Sequence, residues 1–236
     1  MRTSRVAGLV FLATATLAQQ QQTVEITSEP SHHLVLQNEY VRVFDVTVAP
    51  KATTLVHRHN SDYLFVTLGD SDIVSARVGE KPAALQLKDG DVRFTPGNFA
   101  HAAINKSDNP FHNITIELLK PSSKVAVCTD ACVVHMPCED RTNTSCASNE
   151  KRISSDQWLV SLVTLPPSSR MEESKHSAPY LMVAVSDLDL TSQTESASSN
   201  IKRQPGGLLW VPAGVTRTLL NSSTKAVQFV TLEFKS

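Results

Sequence analysis

His57-Arg58-His59 places two histidines two residues apart. On a β-strand such residues share one face at a spacing of about 6–7 Å, so both imidazoles can aim at one point. Asp62 adds a carboxylate shortly after them, and His101 can return on a distant strand to supply a third nitrogen. Three neutral imidazoles and one carboxylate suit a divalent first-row metal ion, whether Fe, Mn, Zn, Ni or Cu. Four protein donors leave about two of six octahedral positions open for water, dioxygen or a substrate oxygen. Iron or copper there would support dioxygenation; manganese, zinc or nickel would support Lewis-acid isomerisation, hydrolysis or decarboxylation. The donor set does not choose among them. The competing view of the His pair is surface or core filling. For Asp62 it is a turn cap, with water completing the metal shell.

Two flanking patterns carry a family resemblance. His57, His59, Asp62 and Gly69 form the first. Gly90, Pro96, His101 and Asn105 form the second. Together they resemble the two consensus motifs of the cupin superfamily, in which H-x-H is followed by a Glu and a Gly, and the second motif reads G, P-x-G, H, N. The chain departs from that pattern in two places. The carboxylate is Asp and stands one residue nearer the His pair. Asn98 replaces the Gly after Pro96, with Gly97 beside it, and Asn tolerates left-handed backbone better than most residues. The resemblance implies a metal held by His57, His59, Asp62 and His101 inside a jelly-roll barrel, and a small-molecule ligand or substrate.

The elements that must position these residues read as strands. Tyr40 to Val48 alternates with one richly apolar face and ends at Pro50. Further runs are Leu55–His59, Tyr63–Leu68, Ile73–Val78, Ala83–Leu87, Val92–Thr95, Ala102–Ile104 and Phe111–Leu119. Short strands with turns every eight to twelve residues predict an all-β sandwich or barrel. No long amphipathic helix is evident.

The second half repeats the first. A slide of 117 residues places Val46-Thr47-Val48-Ala49-Pro50 on Val163-Thr164-Leu165-Pro166-Pro167, and Tyr63 on Tyr180. After one deletion a slide of 116 places Gly90, Pro96, Asn105 and Glu117 on Gly206, Pro212, Asn221 and Glu233. Two copies of one fold are therefore expected, that is, two tandem cupin-like double-stranded β-helix (jelly-roll) barrels, a bicupin. The predicted layout is a signal peptide at 1–18, a metal-binding barrel at 30–120, a Cys-rich linker at 121–152 and a degenerate barrel at 153–236. In the second copy Ser174 stands for His57, His176 for His59, Pro179 for Asp62 and Arg217 for His101. A fixed guanidinium beside one imidazole predicts a barrel without metal.

The chain has 236 residues and a formal net charge of −1, which removes any global electrostatic case for nucleic acid or an anionic membrane. Arg2, Arg5, an apolar run from Val6 to Leu17 and Thr16-Leu17-Ala18 read as an export leader, so the mature protein is expected to be periplasmic or secreted, without a membrane span. Cys128, Cys132, Cys138 and Cys146 predict two local disulfides in the linker; their spacing matches no common zinc site. The N-x-S/T triplets at Asn105, Asn113, Asn143 and Asn221 are read as chance. Glu117 is a candidate pocket base, weakened by its recurrence as Glu233. Tyr63 is expected to point away from the metal into packing, and Arg58 into solvent. No Ser-His-Asp set, phosphate loop or dinucleotide fingerprint is present. Two functional readings remain: a metal-dependent enzyme (dioxygenase, isomerase or related) on a small organic substrate at the N-terminal barrel, or a non-catalytic ligand-binding protein. A homodimer is an open partner class.

Overall fold

The computed structural model describes residues 22–128, 133–135, 147–173 and 175–236. The leader (1–18), three of the four cysteines, Asn143 and Ser174 lie outside the described residues.

The first half contains β1 (Val24–Glu25), β2 (His32–Gln37), β3 (Val41–Val48), β4 (His57–His59) and β5 (Tyr63–Leu68). It continues with β6 (Ser71–Arg77), β7 (Ala83–Leu87), β8 (Val92–Thr95), β9 (Phe99–Asn105) and β10 (Phe111–Leu118). These strands form two facing sheets, β1-β4-β9-β6-β7 and β2-β3-β10-β5-β8. Ile26, Phe44, Val46, Val48, Phe65, Ile73, Leu87 and Phe111 fill the space between them. The alternation of β3 explains this, because Phe44, Val46 and Val48 all fall on its inward face.

The second half adds β11 (Ala126–Val127), β12 (Val133–His135), β13 (Ser148–Ser154), β14 (Trp158–Leu165), β15 (Arg170–Glu173) and β16 (Tyr180–Ala184). Then come β17 (Leu188–Gln193), β18 (Ser198–Arg203), β19 (Leu208–Val211), β20 (Arg217–Asn221) and β21 (Val227–Phe234). Its sheets run β11-β13-β14-β21-β16-β19 and β15-β20-β17-β18. The jelly-roll architecture expected from the repeat is the architecture found. Among the described residues there is no α-helix, and none long and apolar enough to cross a membrane.

The interval read as a linker supplies sheet. β13 pairs along β14 just as β2 pairs along β3. Its sequence, Ser-Asn-Glu-Lys-Arg-Ile-Ser, is almost wholly polar, and only Ile153 is fully buried. A strand with so little apolar content gives no alternation signal.

The repeat is visible in atomic detail. Asn105 Nδ2 donates to the carbonyls of Val48, Ala49 and Asn109, while its Oδ1 accepts from Ser107 N. Asn221 Nδ2 donates to Leu165, Pro166 and Lys225, and its Oδ1 accepts from Ser223 N. Each amide stitches a turn to the end of the strand that precedes the His-motif region, and its hydrogen-bonding capacity is largely used. Both side chains are buried, as is Asn113, so these three N-x-S/T triplets present no acceptor in the folded protein.

The two barrels join through a shared core. Val41, Val43, Leu64, Val66, Ile114 and Ile116 meet Trp158, Val160, Leu181, Val183, Val230 and Leu232. Tertiary contact therefore buries the second face of β3 and both faces of β5. The junction is nearly two-fold symmetric. A Cβ on Gly90 would lie 3.4 Å from Val185, and one on Gly206 would lie 3.2 Å from Leu68 and 3.3 Å from Ile114. Both glycines also have positive φ, where a side chain would be strained.

Candidate metal centre

β4 and β9 run antiparallel with His57 opposite His101 and His59 opposite Phe99. The alternation of β4 points His57 and His59 inward and leaves Arg58 in solvent. The three imidazoles meet inside the first barrel, with ring centroids 4.6 Å apart for His57–His101, 5.0 Å for His57–His59 and 5.1 Å for His59–His101. All three are buried.

Their hydrogen bonds fix which nitrogens face the centre. His57 Nδ1 lies 2.9 Å from the Leu55 carbonyl, which can only accept, so this nitrogen carries the proton and Nε2 carries the lone pair. That Nε2 is buried and without a hydrogen-bond partner. His101 Nδ1 is 2.9 Å from Ser75 Oγ, leaving its Nε2 directed at His59 Nε2, 3.2 Å away. Two nitrogens bound to one ion at about 2.0–2.1 Å lie about 2.8–3.4 Å apart at octahedral to tetrahedral angles. The observed separation fits, and a bare buried lone pair costs stability unless something occupies it.

A fourth histidine, outside both sequence motifs, joins the group. His32, the first residue of β2, has its ring centroid 4.6 Å from His57 and 6.4 Å from His59. One ring nitrogen from each of His32, His57 and His59 lies within 4.8 Å of the others. Its Nδ1 is 2.6 Å from Glu29 Oε2. Glu29 is itself buried and also accepts from Ser31 N and Leu55 N. Burial works against that carboxylate's charge, but the bonds from His32, Ser31 and Leu55 outweigh it and hold its pKa below the usual range. The one available signal was Glu29-x-x-His32-His33 at the end of the polar stretch Gln19 to Ser31, whose composition fits a tail or a first edge strand alike.

Asp62 is placed differently from the metal-ligand expectation. Its Oδ1 accepts from Gly97 N at 2.8 Å, so the carboxylate caps the Pro96–Asn98 turn. Asn98 N donates to His59 O at 2.7 Å, with Asn98 at φ +62°. Any Cβ at Gly97 would lie 2.4 Å from the Ser61 carbonyl carbon, so only Gly fits this approach. The shorter side chain and the shorter spacing both favour this near partner, and the turn clamps the end of β4.

Tyr63 also departs from expectation. Its ring stacks on His59, with centroids 4.1 Å apart and planes 17° apart, and it lines the cavity. Burial pushes its phenol up to about 12, so it stays protonated. Glu117 is fully buried and accepts from Arg42 Nε at 2.8 Å and Nη2 at 2.6 Å. Burial pushes its pKa up against the pull of Arg42. It lies outside the cavity lining. The cavity holds about 40 Å³ and is walled by the four histidines, Val46, Val48, Phe65, Ile73 and Phe111, with Asn113 and Thr115 as further polar groups.

The imidazoles are neutral. Burial and the neighbouring His32 lower His57 to about 4. Burial, then His101 and His57, lower His59 to about 2. Burial and His57 lower His101 to about 3. At neutral pH each of these three rings offers a lone pair, which is the form a metal needs.

The second barrel is built on the same plan with other chemistry. β15 and β20 pair with Glu173 opposite Arg217, as His57 stands opposite His101. The residue at the His57 place is thus Glu173, one position earlier than the sequence slide put it, because one residue is lost between Pro167 and Glu173 and made up again before Tyr180. Asn149 faces Val163 as His32 faces Val46. Arg217 Nε donates to Glu173 Oε2 at 2.5 Å, Arg217 Nη2 to Tyr180 Oη at 2.5 Å, and Tyr180 Oη to Glu173 Oε2 at 2.6 Å. A closed, buried ion-pair triangle occupies the space of the metal group. His176 lies beside the triangle, half-buried, its ring centroid 5.1 Å from that of Tyr180 and its Nδ1 3.7 Å from Glu233.

Fold, repeat and site together give two tandem cupin-like jelly-roll barrels, the first carrying a histidine cluster. No family model and no curated protein matches the chain. Solved structures do. AerE from Microcystis aeruginosa is similar at 12% identity and a TM-score of 0.60, over 88% of this chain and 99% of that one. The putative glyoxylate induced protein from Pseudomonas aeruginosa is similar at 12% identity and 0.62, over 85% and 77%. Bacillus subtilis oxalate decarboxylase, studied for its Mn(II) centres, is similar at 12% identity and 0.58, over 83% and 69%. At these identities the likeness speaks for the fold.

Proposed function

We propose that the first barrel holds one divalent metal ion on His57, His59 and His101 and acts as a metal-dependent enzyme, an oxygenase, isomerase or related activity, on a small organic substrate. The observation that carries this reading is the partnerless His57 Nε2 aimed into a buried cavity beside the facing Nε2 atoms of His59 and His101. The ion, when bound, would supply Lewis acidity or redox chemistry towards an oxygen of the substrate. The protein's part follows from its residues. Neutral imidazoles add no negative charge, so an ion on them keeps its full charge and favours an anionic oxygen such as a carboxylate. Val46, Val48, Phe65, Ile73 and Phe111 give the cavity an apolar wall. Thr115 Oγ1 donates to Asn113 Oδ1 at 2.8 Å, which sets the Asn113 amide so that its NH₂ can orient a substrate oxygen. About 40 Å³ is room for roughly three waters, hence for a very small substrate. Oxalate decarboxylase, among the fold neighbours, is named for a substrate of that size.

A binding role without turnover is favoured by one observation: no carboxylate lines the cavity among the described residues, and Glu117 is engaged by Arg42. Elemental analysis of the protein purified from its native compartment should find about one ion per chain, consistent with a single site. Changing any one of His57, His59 or His101 to Ala should cut that content sharply, and full occupancy in the triple-Ala variant would overturn the reading. Small carboxylates that bind the loaded protein without being consumed would select the second role.

Export belongs to the same proposal and rests on the leader-like residues 1–18 and the clustered cysteines. The intact mass of the protein from its host should correspond to a chain starting at Gln19 with two disulfides. Four free thiols after denaturation would rule out the bridges.

A further inference from the structure

We propose that His32 is the fourth metal ligand, held in place by Glu29, and that Asp62 is not a ligand. This rests on the metal reading above and changes the donor set from three imidazoles and a carboxylate to four imidazoles. Three independent features support it. First, one ring nitrogen of His32 lies within 4.8 Å of one each from His57 and His59, whereas the Asp62 carboxylate is bonded to Gly97 N in the turn. Second, His32 Nδ1 sits against Glu29, so its Nε2 is the nitrogen left for an ion. A carboxylate on the far nitrogen fixes ring orientation and raises donor strength. Third, the Glu29 carboxylate is itself held rigidly. It is buried and takes hydrogen bonds from the backbone of two separate segments, at Ser31 and Leu55.

The arrangement ties the ion to the first strands of the chain. β1 runs parallel to β4 with Val24 beside His57, and Glu29 Oε1 accepts from Leu55 N just before His57. An ion on His32 and His57 would therefore cross-link the segment Val24–His32 to β4. Binding should then slow hydrogen exchange at Ser31, His32 and Leu55, whose amides lie in this network. The second barrel agrees, since Asn149 takes the His32 register place and the ion-pair triangle takes the rest.

The test uses the full chain and the metal alone. Zinc affinity, measured by competition with a chromophoric chelator, should fall at least about 100-fold in His32→Ala and about 10–100-fold in Glu29→Gln, as for loss of an orienting partner. It should change by no more than about threefold in Asp62→Asn, which removes a group engaged in a turn. In copper-loaded wild type, pulsed EPR should count four coupled imidazoles, a reading that needs no variant to fold. Three imidazoles, or an Asp62→Asn loss as large as that of His32→Ala, would overturn the proposal. Undiminished affinity in His32→Ala alongside loss in His57→Ala would overturn it while leaving the metal reading intact. Undiminished affinity in His57→Ala would instead remove the metal reading itself.

Discussion

Acidifying the metal-free protein from pH 7 to pH 5 should destabilise it by about 6 kcal/mol, enough to unfold a domain of ordinary stability. In the unfolded chain the three site histidines titrate near 6.5. In the folded chain burial and mutual repulsion hold them at about 4, 2 and 3 for His57, His59 and His101. The folded-state values are depressed, so the unfolded state binds more protons below pH 6.5 and stability falls as pH falls. At pH 5 each unfolded imidazole gains about 2 kcal/mol from protonation that its buried counterpart forgoes. The contribution is complete above pH 6.5 and is lost progressively towards the folded-state values. Chemical denaturation in a chelating buffer at the two pH values measures it. Equal stability at both would show that the cluster is not buried neutral. The His57→Ala/His59→Ala/His101→Ala variant should lose most of the slope. With metal present the same acidification should also release the ion, since its ligands must be deprotonated to bind.

Replacing Arg217 by Met should cost about 3–5 kcal/mol and leave metal content unchanged. Arg217 and Glu173 side chains are each only 7% exposed, and Tyr180 closes their triangle. Removing the guanidinium strands a buried carboxylate. The pull of Glu173 holds the Arg217 pKa above its ordinary value despite burial, so the guanidinium stays charged. The double variant Glu173→Met/Arg217→Met removes both charges and should recover most of the loss, because two apolar side chains of similar volume need no partner. Urea denaturation of the single and double variants, with elemental analysis of each, checks both halves of the expectation. A fall in metal content on losing Arg217 would mean that the second barrel takes part in binding. A single-variant loss below about 1 kcal/mol would mean that the triangle behaves as an exposed ion pair and not as a buried one.

Much of the first site was legible along the chain. The order His57-x-His59, turn, His101 predicted which imidazoles meet. Strand alternation has a fixed period and a turn such as Pro96–Asn98 has a fixed chemistry. The copy relation was also readable, because Asn105 and Asn221 make the same hydrogen bonds at equivalent places. β3, β5, β7 and β8 fell at the predicted residues for the same reason.

What escaped depended on contacts between distant parts of the chain. β13 is polar and is a strand only because β14 pairs with one edge and β11 and β12 with the other. The second apolar face of β3 made sense only once the other barrel covered it. Glu173 moved into the His57 place because a one-residue offset confined to the stretch between Pro167 and Tyr180 shifts register there, and side-chain facing reverses with every residue of shift. Asp62 could reach either a metal or a turn amide, and the close packing of Gly97 on Ser61 decided for the turn. His32 carried no spacing signal towards His57, twenty-five residues on, because the length of an intervening segment does not say where its ends meet. The sequence by itself determined the alternating strands of the first barrel, the repeat and the convergence of His57, His59 and His101, all set by local period and turn chemistry. The tertiary structure alone decided that Glu29 and His32 join them, that Asp62 Oδ1 accepts from the Gly97 amide and that an ion pair sits in the second barrel, since each depends on register and packing between segments far apart in the chain.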